Sequence, residues 1–269
     1  MKTSLRVLVL VAAGVLLFST TGCSKLRARD QLNKGVQSYK NAKYEEAIEH
    51  FRQAVDLDPT LLNARLYLAT AFAQQYIPGA DAPDNNKFAE QAIEQYKEVL
   101  ARDPKNANSV KGIAYLYLQM KRFNDAKEYY RKATELDPND PEPYYSVAVI
   151  DWTQTYQPRM EERAKLGLKP EEPLKDKKVC AALKQKNGAN IQEGIDNLNK
   201  ALQIRPDYDD AMAYMNLMYR ERADLQCDDP AARAADLKAA DDWVNKTFAI
   251  KKAKAEKQPG ATGITMDQK

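Results

Sequence analysis

The stretch AKEYYRKATELDP, Ala126–Pro138, decides the fold. Ala126, Tyr130 and Ala133 follow one another at intervals of four and three, which places them on one face of a helix. The residues between them include the charged Lys127, Glu128, Arg131 and Lys132. Small residues above and below a single ring let another helix approach closely while the ring fills the space between. Pro138 has no amide hydrogen to donate and ends the helix.

The same pattern recurs. Ala47-x3-Phe51-x2-Ala54-x4-Pro59, Ala92-x3-Tyr96-x2-Val99-x4-Pro104 and Gly194-x3-Leu198-x2-Ala201-x4-Pro206 carry it with only conservative changes. Upstream of each lies a partner segment with a small residue at a matching place: Gly35, Ala69, Ala114 and Ala148. Phe72 and Tyr117 add aromatic residues to two of these segments. A fifth unit starts near Asp209, with Met212, Met215 and Tyr219 as its inward stripe, and lacks the closing proline. Self-similarity at this spacing is the mark of a helical array.

In its small–aromatic–small–proline pattern the chain resembles the tetratricopeptide repeat (TPR) family, over roughly residues 28 to 245. The resemblance implies an all-α fold: antiparallel helix pairs stacked as a right-handed superhelical solenoid, with a concave face lined by the first helix of each pair. About five repeats are expected within 28–257, with the stretch Pro230 to Lys257 running on as a capping helix. Residues 258–269, with one proline, two glycines and no apolar cluster, read as a disordered tail.

The repeat is interrupted twice. Pro104 to Pro138 is 34 residues, but Pro59 to Pro104 is 45 and Pro138 to Pro206 is 68. The surplus falls between first and second helices, as inserts near 76–86 and 156–189. Pro158, Pro170 and Pro173 make the second insert read as irregular chain; a degenerate extra repeat is the alternative.

The amino terminus has the parts of an export signal. Lys2 and Arg6 precede an apolar run from Val7 to Phe18, about a dozen residues, well short of the roughly 20 that span a bilayer. Thr20-Thr21-Gly22-Cys23 follows and resembles the bacterial lipobox, with Thr20 where leucine is usual. The resemblance implies a lipoprotein signal peptide over 1–22, an acylated Cys23 and a short lipidated linker over 23–27, with the bilayer as a partner through the acyl chains. Ser24 beside the anchor points to the outer membrane, with the protein facing the periplasm. An ordinary secretory signal ending by chance in cysteine is the alternative.

Beyond the anchor the chain keeps Cys180 and Cys227. In an oxidising compartment an even number of cysteines tends to pair, and in the repeat frame both lie on the same edge of adjacent repeats. A Cys180–Cys227 disulfide is therefore expected, with two separate free thiols as the alternative.

Composition narrows the function. Charged residues make up 29% of the chain, the formal net charge is +3 and there is one histidine. Neither a metal centre, a bound cofactor nor a nucleic-acid footprint is expected. His50 reads as solvated surface, and no phosphate-binding loop or nucleophile elbow is present. The chain is expected to be a binding protein rather than an enzyme. In the repeat frame Tyr67, Tyr115, Tyr145, Trp152, Tyr156 and Tyr214, with Asn108 and Lys111 between them, face the concave groove. Aromatic rings with interspersed polar groups suit a protein or peptide ligand of the cell envelope. The expected role is a periplasmic scaffold in assembly of a barrel, a pilus secretin or cell-wall machinery. A small-molecule or glycan binder using the same rings is the alternative.

Overall fold

The computed structural model describes residues 23–80, 82, 84–169 and 172–257. The expected signal peptide over 1–22, the tail over 258–269 and Pro170 lie outside the described residues. Among the described residues there are ten helices and no strand. They are α1 (residues 23–40), α2 (Tyr44–Leu57), α3 (Leu62–Gln75), α4 (Asn85–Leu100), α5 (Ala107–Gln119), α6 (Phe123–Leu136), α7 (Pro141–Lys165), α8 (Lys177–Ile204), α9 (Asp209–Ala223) and α10 (Pro230–Lys257). The fold is of the TPR type, built of helix pairs, and its internal packing divides the chain into two compact units, the boundary falling in α6 between Tyr129 and Tyr130.

In the first unit each helix follows from the repeat signature. Ala47, Phe51 and Ala54 of α2 and Ala92, Tyr96 and Val99 of α4 are buried, and Leu57 and Leu100 end those helices shortly before Pro59 and Pro104. Gly35 of α1 lies against the Phe51 ring so closely that a Cβ there would meet Cδ1 and Cε1 at 2.5 Å. α1 is helical from residue 23, so the stretch 23–27, expected as a linker, is helix instead. The first insert is a short loop cinched by one side chain. Asn85 accepts from the Ile77 amide at 2.8 Å and donates to the Ile77 and Ala80 carbonyls at 2.7 and 3.2 Å.

The second unit departs from expectation. Residues 156–189 do not form irregular chain: α7 runs 25 residues and α8 runs 28, leaving only 166–176 between them. Pro158 sits inside α7. A proline there frees backbone carbonyls in the turn before it. Buried Asn187 of α8 donates to the Thr155 carbonyl in that turn at 3.2 Å, tying α8 to α7 beside the proline. The extended hairpin also gains a capped start, since Asp176 accepts from the Lys178 and Val179 amides. It gains a core as well, in which Leu174, Cys180, Leu183, Ile191 and Leu198 pack with Met215, Met218 and Leu225. Burial on this scale overrides a local proline. At the closest approach of the helices, a Cβ on Gly194 would lie 2.0 Å from Met218 Cε and 3.3 Å from Asp151 Cβ. α10 covers α9 as a single 28-residue helix.

Candidate functional site

The concave-face residues fall into two sets. In the first unit Tyr67 on α3 and Tyr115 on α5 are 41% and 52% exposed, unusual for large rings. Tyr67 rests one face on Phe51, with centroids 5.6 Å apart. Asn63 and Asn108 are exposed, while Lys111 is half-buried.

In the second unit the rings touch one another. Tyr208, Tyr145, Tyr214, Trp152 and Tyr156 form a continuous ladder, with successive centroids at 5.0, 5.5, 5.6 and 4.8 Å. Tyr214 is nearly perpendicular to both Tyr145 and Trp152, at 87° and 88°. A guanidinium stands over each end: Arg205 is 3.3 Å from the Tyr208 centroid and Arg159 is 5.7 Å from that of Tyr156. The ladder therefore serves packing and exposure together. Tyr145, Trp152 and Tyr156 come from α7, and Tyr214 from α9; all four are half-buried.

Carboxylates stand beside the same rings. Glu142 accepts from the Tyr208 hydroxyl at 3.0 Å and pairs with Arg205 at 2.9 Å. Burial pushes the Tyr145 and Tyr208 phenols well above the usual tyrosine range, and the carboxylates of Asp210 and Glu142 beside Tyr145 push the same way. Tyr214 is raised by burial and by Asp210. At neutral pH these hydroxyls stay protonated, and that of Tyr208 donates to Glu142.

Beneath the ladder lies a charged network that the sequence reading did not find. Arg159 reaches Glu221 at 2.9 Å and Asp224 at 3.0 Å, and Arg163 reaches Asp224 at 2.8 Å. Arg163 also donates to the carbonyls of Lys169 and Glu172, which holds the hairpin tip. Arg163 and Glu221 are 1% and 0% exposed. Burial, reinforced by Asp224, raises the Glu221 carboxyl to about 7 despite the opposing pull of Arg159 and Arg163. Cys180 and Cys227 are joined by a disulfide, their Cα atoms 5.5 Å apart, beside this network.

His50, expected on solvated surface, is half-buried and bonds through Nδ1 to Gln31 Oε1 of α1 at 2.7 Å, because α2 turns that side toward α1. Cys23 is exposed at the start of the described chain. Among the described residues no group of three or more His, Cys, Asp or Glu side chains is placed to hold a metal ion. No described helix is long and apolar enough to cross a membrane.

Tetratricopeptide-repeat family models match residues 28–61 and 88–150. No curated protein sequence matches the chain significantly. Solved structures of MamA proteins share the fold. One is 13% identical with a TM-score of 0.59, covering 88% of this chain and 98% of that one. A MamA from Desulfovibrio magneticus RS-1, residues 41 to the end, is 14% identical with a TM-score of 0.56, covering 84% and 96%. A double mutant of the RS-1 protein gives 13% and 0.58, covering 86% and 97%. At this identity the likeness concerns the fold.

Proposed function

We propose that this chain is a membrane-anchored scaffold of the bacterial cell envelope, which holds other proteins on the first-helix faces of its repeats during assembly of an outer-membrane or envelope complex. TPR arrays are built for protein contact, and that supports the interaction role. The export-type leader and Cys23 support the anchor. The observation that carries the reading is the half-buried aromatic ladder on α7 and α9. Its four half-buried rings, Tyr145, Trp152, Tyr156 and Tyr214, edged by polar hydroxyls, offer large contact area at low entropic cost.

The test is a crosslinked pull-down from native membranes, run beside a Tyr145→Ala/Trp152→Ala variant. A defined protein complex, lost in the variant, is the expected result. The same complex retained in the variant removes the ladder from the reading. Absence of any reproducible protein partner overturns the scaffold and favours a glycan or other small ligand on the rings. The anchor has its own test: Cys23→Ser is expected to move the protein from the membrane to the soluble fraction. A variant that stays in the membrane fraction overturns acylation at this residue.

A further inference from the structure

We infer that the corner formed by Tyr145, Tyr214 and Trp152, with Asp210 beside it, receives a cationic side chain, lysine or arginine, from an extended segment of the protein partner. The inference rests on the scaffold reading and names the chemistry of its ligand.

Three observations carry it. The Tyr214 ring meets Tyr145 and Trp152 edge to face, at 87° and 88°, so the three rings do not close into a parallel stack. All three rings are half-buried, which leaves part of each open to a ligand. The carboxylate beside them is uncommitted. Asp209 is tied to Lys254 at 2.6 Å and Glu142 to Arg205 at 2.9 Å, whereas exposed Asp210 makes no ion pair among the described residues. Asp210 stands one helical turn before Tyr214 on α9, on the same side of the helix, and its charge acts on both the Tyr145 and the Tyr214 phenols.

A ring face is negative and attracts a cation, and the attraction strengthens where the site is partly shielded from water. An adjacent carboxylate adds a direct ion pair. An anionic segment would meet Asp210 and the negative ring faces and be repelled. A purely apolar segment would leave Asp210 desolvated and unpaired. The guanidinium groups already on the ladder show the same preference from within, since Arg205 and Arg159 stand over Tyr208 and Tyr156. Among the described residues no cation stands over the rings of the central corner.

The test uses the full chain with Trp243→Phe, which leaves Trp152 as the single indole. The probes are a blocked hexapeptide of alternating glycine and lysine, its Nε-acetylated form and the glutamate counterpart. A saturable change in Trp152 fluorescence is expected with the lysine peptide, weakened by salt and absent for the other two. Asp210→Asn, at an exposed position, is expected to weaken binding about tenfold without changing helicity. Tyr214→Phe is expected to keep binding and Tyr214→Leu to lose it. Equal binding of all three peptides, an unaffected Asp210→Asn variant or no saturable change overturns the inference. A native-membrane complex that depends on Tyr145 and Trp152 but not on Asp210 overturns it too, while leaving the scaffold reading in place.

Discussion

Arg163 of α7 and Asp224 just past α9 form an ion pair of 2.8 Å in which both side chains are almost wholly buried. Removing one partner strands the other charge in the interior, and breaking such a pair costs about 3–5 kcal/mol. Asp224→Ala leaves Arg163 without a carboxylate and takes from Arg159 one of its two, since Arg159 shares the same Asp224 oxygen and keeps Glu221. The variant is expected to lose stability of that size in urea unfolding followed by tryptophan fluorescence. Trp152 and Trp243 both lie in the second unit, so the signal reports on that unit.

Stability should also depend on pH through Glu221. Its folded carboxyl titrates at about 7, against 4.5 for a free one, chiefly because of burial. Between those values the folded chain holds more protons than the unfolded chain, so stability falls as pH rises. The contribution is complete below about pH 4.5 and is lost as pH passes about 7. Glu221→Gln is expected to flatten this slope in urea midpoints measured across the window. A slope of unchanged size in the variant would show that another group is responsible.

Gly35→Ala sets two effects against each other. Alanine raises helix propensity by about 1 kcal/mol over glycine. The new Cβ would meet two atoms of the fully buried Phe51 ring at 2.5 Å, and such overpacking costs about 1–3 kcal/mol. Net destabilisation is expected, partly relieved when Phe51→Leu is added. Thermal unfolding followed by circular dichroism of the single and double variants measures the exchange.

The Cys180–Cys227 bond spans 47 residues of sequence. Closing a loop of that length lowers the entropy of the unfolded chain, and chain-entropy arguments put the gain at about 4 kcal/mol. The double serine variant is expected to unfold at lower urea, and the wild type to match it once reduced. A reduced wild type as stable as the oxidised one would contradict this.

The repeat signature exposed most of the architecture because each of its positions answers a packing need. Small residues appear where helices touch, as at Gly35, and prolines stand just past the helices they end, as at Pro59 and Pro138. The hairpin of α7 and α8 was hidden for a related reason. Pro158 breaks helices in general, and the burial that overrides it here comes from α8 and α9, far along the chain. Arg159 and Arg163 stand four apart on a helix, the spacing of an ordinary solvated face, and nothing local shows that α9 brings Glu221 and Asp224 to them. Tyr208 was overlooked as part of the ladder because it lies just before α9 begins, outside the first-helix frame. Its neighbour Pro206 marked the position as a boundary. Ring positions inside the helices, such as Tyr145 and Tyr214, were readable from spacing, but their contact with each other was not.

The covalent link between Cys180 and Cys227 also changes how the molecule answers to force. A pull applied at residues 23 and 257 passes from α8 directly to the start of α10 through the sulfur bridge. The intervening residues carry no load, and roughly 160 Å of contour length stays stored within the bridge however hard the ends are drawn apart. Reduction would release that length at once. In an oxidising compartment the second unit is thereby shorter and less extensible under tension than its residue count suggests.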